Sequence, residues 1–134
     1  HRTSVGVFDR QMSFVLIPPD QIIEVHDLIL GEHELQGLAP DKSLSSAIGR
    51  VENRLHYGLI NDVYELAAAY ATAISQAHCF NDGNKRTAFQ VMDLVLDLNG
   101  VHIAWNVEEI GDQIVLLAQS KLDEAMFADW LRNL

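Results

Sequence analysis

Residues 63–77, Val-Tyr-Glu-Leu-Ala-Ala-Ala-Tyr-Ala-Thr-Ala-Ile-Ser-Gln-Ala, constrain the fold more than any other stretch of the chain. Val63, Leu66, Ala67, Tyr70, Ala71, Ile74 and Ala77 recur at helical spacing. The alanines at 67, 68, 69, 71 and 73 favour helix and let neighbouring elements approach closely. The expectation is a long central helix, buried on more than one face and opened by Asp62 and Glu65 in a capping-box pattern. A helix of that kind must be surrounded by other helices. It also delivers the residue after it, His78, to a fixed place.

The surrounding stripes can be read in order. Phe14–Ile17 is a short strand or an apolar anchor, stopped by Pro18-Pro19-Asp20, which suits a helix start. Ile22, Ile23, Ile29 and Leu30 then form a helical face with His26 beside it, where a structural role for His26 outweighs a catalytic one. Residues 31–43 read as a loop. Leu44, Ala47, Ile48, Val51 and Leu55 make the next stripe. Arg50 and Arg54 share a face of that helix and read first as solvated surface. Contact with an acidic partner or with nucleotide phosphates is their functional alternative. His56–Ile60 connects as a loop or short hairpin. Ala88, Val91, Met92, Val95 and Leu96 resume the helical period, ended by Asn99-Gly100 with Gly100 just past the helix. Val101–Trp105 alternates weakly, as a short extended segment would. Asn106 and Glu109 start a helix carrying Ile110, Ile114 and Leu117. Ser120 is expected to cap a last one with Leu122, Met126, Trp130 and Leu131.

The fold class is therefore all-α: a compact bundle of about six helices, with a short flap hairpin as an option at 56–60. The domain spans 14–134, and residues 1–13 are expected to be a disordered or non-native leader. Apolar residues make up 49% of the chain, enough for a core. The net charge of -10 argues against direct nucleic-acid binding but leaves room for a local cationic pocket. Cys79 is the only cysteine, so an internal disulfide is impossible and a cysteine–zinc site is not expected. No uninterrupted run approaches the roughly 18 apolar residues of a membrane span, which leaves the cytoplasm as the expected compartment.

Chemistry concentrates in His78-Cys79-Phe80-Asn81-Asp82-Gly83-Asn84-Lys85-Arg86. An imidazole at a helix end can take a proton from an attacking hydroxyl near neutral pH. Phe80 reads as a buried wedge that fixes the directions of His78 and Asp82, with Asn81 in support. Cys79 reads as a small buried side chain. Asp82 offers one carboxylate, which together with phosphate oxygens is a common way to hold Mg2+. Gly83 permits a turn or close approach that a Cβ would hinder. The amides of residues 83–85 can converge on an anion at the start of the next helix. Asn84 can brace the turn or cap that helix. Lys85 and Arg86 add a point charge and a bidentate fork where the helix dipole already favours an anion. These roles together describe phosphoryl or nucleotidyl transfer, carried by positioning and electrostatics.

The segment also resembles the Fic domain signature, HxFx(D/E)GN(G/K)R, at His78, Phe80, Asp82, Gly83, Asn84, Lys85 and Arg86. Over roughly residues 14–130 the chain is similar to the death-on-curing toxins, the Doc branch of that superfamily. The likeness takes in Glu24-Val25-His26-Asp27, Ser46-Ala47-Ile48 and the alanine-rich helix. It implies a compact Fic/Doc helical fold, with His78 as general base and Asp82 as magnesium ligand. It also implies that Gly83, Asn84 and Lys85 form the anion-binding turn, with Arg86 on phosphate. ATP and a hydroxyl-bearing protein side chain would be the substrates. The family's target-docking flap would fall near 52–60, at Glu52, Asn53, Arg54, His56 and Tyr57. The Doc branch further implies a separate, Phd-like antitoxin chain and a target such as the Tu elongation factor.

Two departures from the AMP-transferring enzymes point to phosphate transfer. Those usually have glycine where Lys85 stands and a second arginine where Phe89 stands. The Doc branch shares both features but often has alanine at the position of Gly83, so AMP transfer stays as the alternative. An inactive helical interaction module is the other alternative, and a metal-dependent hydrolase using His78 and Asp82 is weaker still. Ser120 to Glu124 has the spacing of the family's inhibitory [ST]xxxE[GN] motif, but Ala125 follows. The match reads as coincidence, with helix capping as the reason for it.

Overall fold

The computed structural model describes residues 14–35, 37–39 and 43–134, so the expectation for residues 1–13 lies outside what is described. Six helices follow one another: α1 Pro19–Ile29, α2 Leu44–His56, α3 Val63–Ala77, α4 Asn84–Leu98, α5 Val107–Ala118 and α6 Glu124–Arg132. α3 is the axis of the bundle. It packs most extensively on α4 and also touches α2, α5 and α6. Leu66, Ala67, Ala68, Ala69, Tyr70 and Ala71 are all buried, as the alanine run requires. α1 lies against α4, on the side where the chemistry-bearing turn sits.

Local signals explain most helix ends. Asp62 accepts the Glu65 amide at 2.8 Å, and Asn106 accepts the Glu109 amide at 3.0 Å. α4 ends as expected at Gly100 (φ 89°), where Gly100 N–H bonds Asp97 O and Val101 N–H bonds Leu96 O. The same device ends α2. Gly58 (φ 74°) bonds Leu55 O, and Leu59 N–H bonds Arg54 O. The flap hairpin does not form: residues 52–56 complete α2, residues 57–61 make the turn, and no strand occurs among the described residues. Ser120 is corrected as well. It sits at φ 58° and ends α5 through bonds from Ser120 N–H to Leu117 O and Lys121 N–H to Leu116 O. The last helix is capped instead by Asp123, whose carboxylate accepts the Met126 amide at 2.8 Å.

Phe14–Ile17 is an anchor and not a strand. Ile17 is fully buried, and the Tyr70 hydroxyl accepts from its N–H at 3.1 Å and donates to its C=O at 3.2 Å. Burial raises the Tyr70 pKa, so the hydroxyl keeps its proton for that second bond. Tyr70→Phe removes the partner of both Ile17 groups at once. A loss of about 1–3 kcal/mol in urea unfolding is expected, with little change in the urea dependence.

Candidate active site

The site grows from the turn between α3 and α4. α3 stops at His78, whose backbone is left-handed (φ 50°, ψ 44°), a conformation that few residues other than glycine adopt. The side chain that pays this strain is solvent-exposed, while Cys79 and Phe80 behind it are buried. The imidazole is therefore open to a second molecule.

Several contacts hold the turn. Gly37–Ala39 pairs with it through an isolated antiparallel bridge, with Ala39 N–H on Cys79 O at 2.7 Å and Asn81 N–H on Gly37 O at 3.2 Å. Asn84 braces it from inside: its amide oxygen accepts Phe80 N–H at 3.0 Å and its NH2 donates to Phe80 O at 2.8 Å. Phe80 stacks on the His26 ring, with centroids 3.8 Å apart and planes 8° from parallel. His26 is fully buried and donates from Nε2 to the Asp82 carbonyl at 2.6 Å. Asp82 Oδ2 accepts the Leu35 amide at 2.9 Å.

Gly83 then takes φ 81°, and a Cβ built there would stand 3.4–3.5 Å from Leu30 and His26. The space is ordinary van der Waals room, so the backbone angle is what favours glycine. α4 starts at Asn84 with no side chain capping its first amides. The N–H groups of Asn84, Lys85 and Arg86 have no partner within the helix by geometry. Lys85 and Arg86 are exposed beside them.

Arg86 is not idle. One guanidinium nitrogen bonds the Glu34 carboxylate and the other reaches Ile29 O at 3.4 Å. Glu34 also accepts Gly31 N–H at 2.7 Å. The Arg86 hydrogen bond, then the Gly31 amide, hold the Glu34 carboxyl below the usual carboxylate range. The contact is therefore complete above the ordinary carboxylate pKa and is lost as pH falls through the lowered value.

The structure thus collects His78, Phe80, Asn81, Asp82, Gly83, Asn84, Lys85 and Arg86 on one turn and the first turn of α4. Glu52, Asn53, His56 and Tyr57 are exposed at the far end of α2. Arg54 is turned away to Glu124, with Nη1–Oε1 3.2 Å and Nη2–Oε2 2.5 Å, and ties α2 to α6. Glu124, the residue with inhibitory-motif spacing, is used in that tie. Glu34 was not visible from sequence, and His26 was read only as a neighbour of the apolar stripe. Both reach the turn across roughly fifty residues of chain, a contact no local pattern encodes.

Comparison with known proteins settles the lineage. The sequence model of the Fic/DOC family matches residues 16–96. The chain belongs to the Fic/DOC family. It is also 35% identical over 119 residues to "Protein kinase doc" of Escherichia phage P1, an alignment that covers 88% of this chain and 94% of that one. The matched span of the Fic/DOC family runs from Leu16, beside the Ile17 anchor, to Leu96 near the end of α4, and so includes the whole turn and the α1 helix behind it. No helix among the described residues is long and apolar enough to cross a membrane.

Proposed function

We propose that this chain is a toxin that transfers the γ-phosphate of ATP to a hydroxyl side chain of a target protein. The observation that carries the reading is the exposed, left-handed His78 at the head of the turn that runs through Gly83 to the uncapped start of α4. Similarity to a protein named as a kinase supports the choice of group transferred. In the proposed step His78 removes the proton of the acceptor hydroxyl. The oxygen forms a bond to the γ-phosphorus, the bond from that phosphorus to the β–γ bridging oxygen breaks, and ADP leaves with the electron pair. The α4 amides and Arg86 hold the charge on the transferring group.

The donor set fits magnesium only in company with a nucleotide. No group of three or more His, Cys, Asp or Glu side chains among the described residues is placed to hold a metal ion by itself. Asp82 supplies one carboxylate, already oriented by Leu35, and phosphate oxygens would complete the set. When bound, Mg2+ would neutralise charge between phosphates.

Phe89 suggests where the base goes. In place of a second arginine it packs edge-on against Trp105, with centroids 5.5 Å apart. With Ile29, Gln90, Val107, Ile110 and Ile114 it lines a largely apolar hollow of about 380 Å³ that Lys85 and Arg86 also border. An aromatic-walled hollow with two cations at hand suits a base joined to phosphates. Arg86 must then exchange Glu34 for phosphate. Glu34→Gln is expected to tighten ATP binding roughly twofold to fivefold by calorimetry, the weight of an exposed ion pair.

AMP transfer is the second reading, favoured by Gly83. One experiment decides between them: incubation with a bacterial lysate and ATP labelled at the α or the γ phosphate. γ-label on a protein supports phosphorylation, α-label supports AMP transfer, and neither overturns both. By the same lineage we propose a Phd-like antitoxin partner, and a translation factor as target in the cytoplasm.

A further inference from the structure

The Asp82–Gly83 peptide can face the site in two ways, and only one offers a donor. A trans peptide is planar, so its carbonyl and the following N–H point in opposite directions. The Asp82 carbonyl is held at 2.6 Å by Nε2 of His26. The Gly83 N–H is therefore directed away from the His26 ring. Were the peptide to rotate, the carbonyl oxygen would take the place of that N–H and turn a donor into a repulsive acceptor for any phosphate. Gly83 makes such a rotation easy, since glycine at φ 81° can adopt the alternatives that a side chain would forbid.

His26 is itself firmly held. The ring is fully buried, stacks face to face on Phe80 and has Asp27 Oδ1 3.1 Å from its other nitrogen. Leu30, the residue just past the end of α1, closes on the same glycine. A buried imidazole N–H must find an acceptor, and the one His26 takes is the carbonyl of the peptide that carries the Gly83 N–H, two residues before α4.

We infer that His26 is a positioning residue: through its bond to the Asp82 carbonyl it locks the Asp82–Gly83 peptide so that the Gly83 amide faces the phosphate being transferred. This rests on the phosphotransfer reading, and the test separates the two. His26→Phe keeps the ring that stacks on Phe80 and removes the donor. His26→Gln keeps an N–H donor and removes the ring.

The wild-type protein should show a hydrogen-bond scalar coupling from His26 Nε2 to the Asp82 carbonyl carbon by NMR. Its Gly83 amide resonance should shift when ATP is added. In His26→Phe that shift should be lost and kcat should fall at least roughly tenfold, the weight of a misdirected anion donor, with KM changing less. His26→Gln should recover most of kcat. Absence of the scalar coupling in the wild type overturns the inference without any variant, even if His26→Phe fails to fold. A folded His26→Phe with unchanged Gly83 response and kcat also overturns it. If the wild-type Gly83 amide ignores ATP while γ-label is still transferred to protein, the inference is overturned and the phosphotransfer reading stands; if no label is transferred, the phosphotransfer reading fails by its own test.

Discussion

Replacing His78 with alanine is expected to lower transfer of labelled γ-phosphate roughly 10²–10⁴-fold, the usual contribution of a general base. The fold should survive, because the side chain is exposed and supports none of the core. Stability and chemistry can be separated further with glycine. His78 holds a left-handed backbone (φ 50°) that alanine tolerates no better, whereas glycine adopts it freely. His78→Gly should therefore melt at or above the wild-type temperature and be as inactive as His78→Ala. Transfer that persists in both variants, with melting curves intact, would remove His78 from the mechanism. Loss of activity in His78→Ala alone, recovered in His78→Gly, would mean that the backbone and not the imidazole mattered.

The central helix was legible because alanine burial leaves few alternatives: a run that small and apolar has to lie between neighbours, and α3 does. The ends of α3, α4 and α5 were equally legible, since Asp62, Asn106 and Gly100 act on backbone groups within a few residues of themselves. Ser120 shows where local reasoning fails. A serine before an apolar run resembles a cap, but here it turns left-handed to finish α5, and Asp123 three residues later has the carboxylate that reaches the helix amides. At 56–60 the loop alternative holds and the hairpin does not, because Gly58 N–H bonds Leu55 O and Leu59 N–H bonds Arg54 O, which ends α2 in a compact turn.

At the site, sequence order alone put His78 through Arg86 together. It could not reveal the outer supports. Glu34 meets Arg86 and His26 meets the Asp82 carbonyl only after α1 has docked on α4. Phe89 was readable as a missing arginine but not as a wall, since its partner Trp105 arrives from beyond the end of α4.

Truncating Arg86 to alanine is expected to cost roughly 10²–10³-fold in kcat/KM, comparable to deleting one preorganised donor from a charged transition state. The residue is exposed and its partners in the resting protein are Glu34 and Ile29 O, so the melting temperature should move little. Arg86→Lys keeps the charge but not the planar fork, and should recover only part of the loss. The sharper test couples Arg86 to Glu34. In the wild-type background Glu34→Gln releases the guanidinium and tightens ATP binding. In the Arg86→Ala background there is nothing to release, so the same substitution should have no effect on affinity. Such non-additivity marks two side chains acting through one contact. If Glu34→Gln helped equally in both backgrounds, Glu34 would be acting by general repulsion of phosphate, and Arg86 would have to be read as a solvated surface cation.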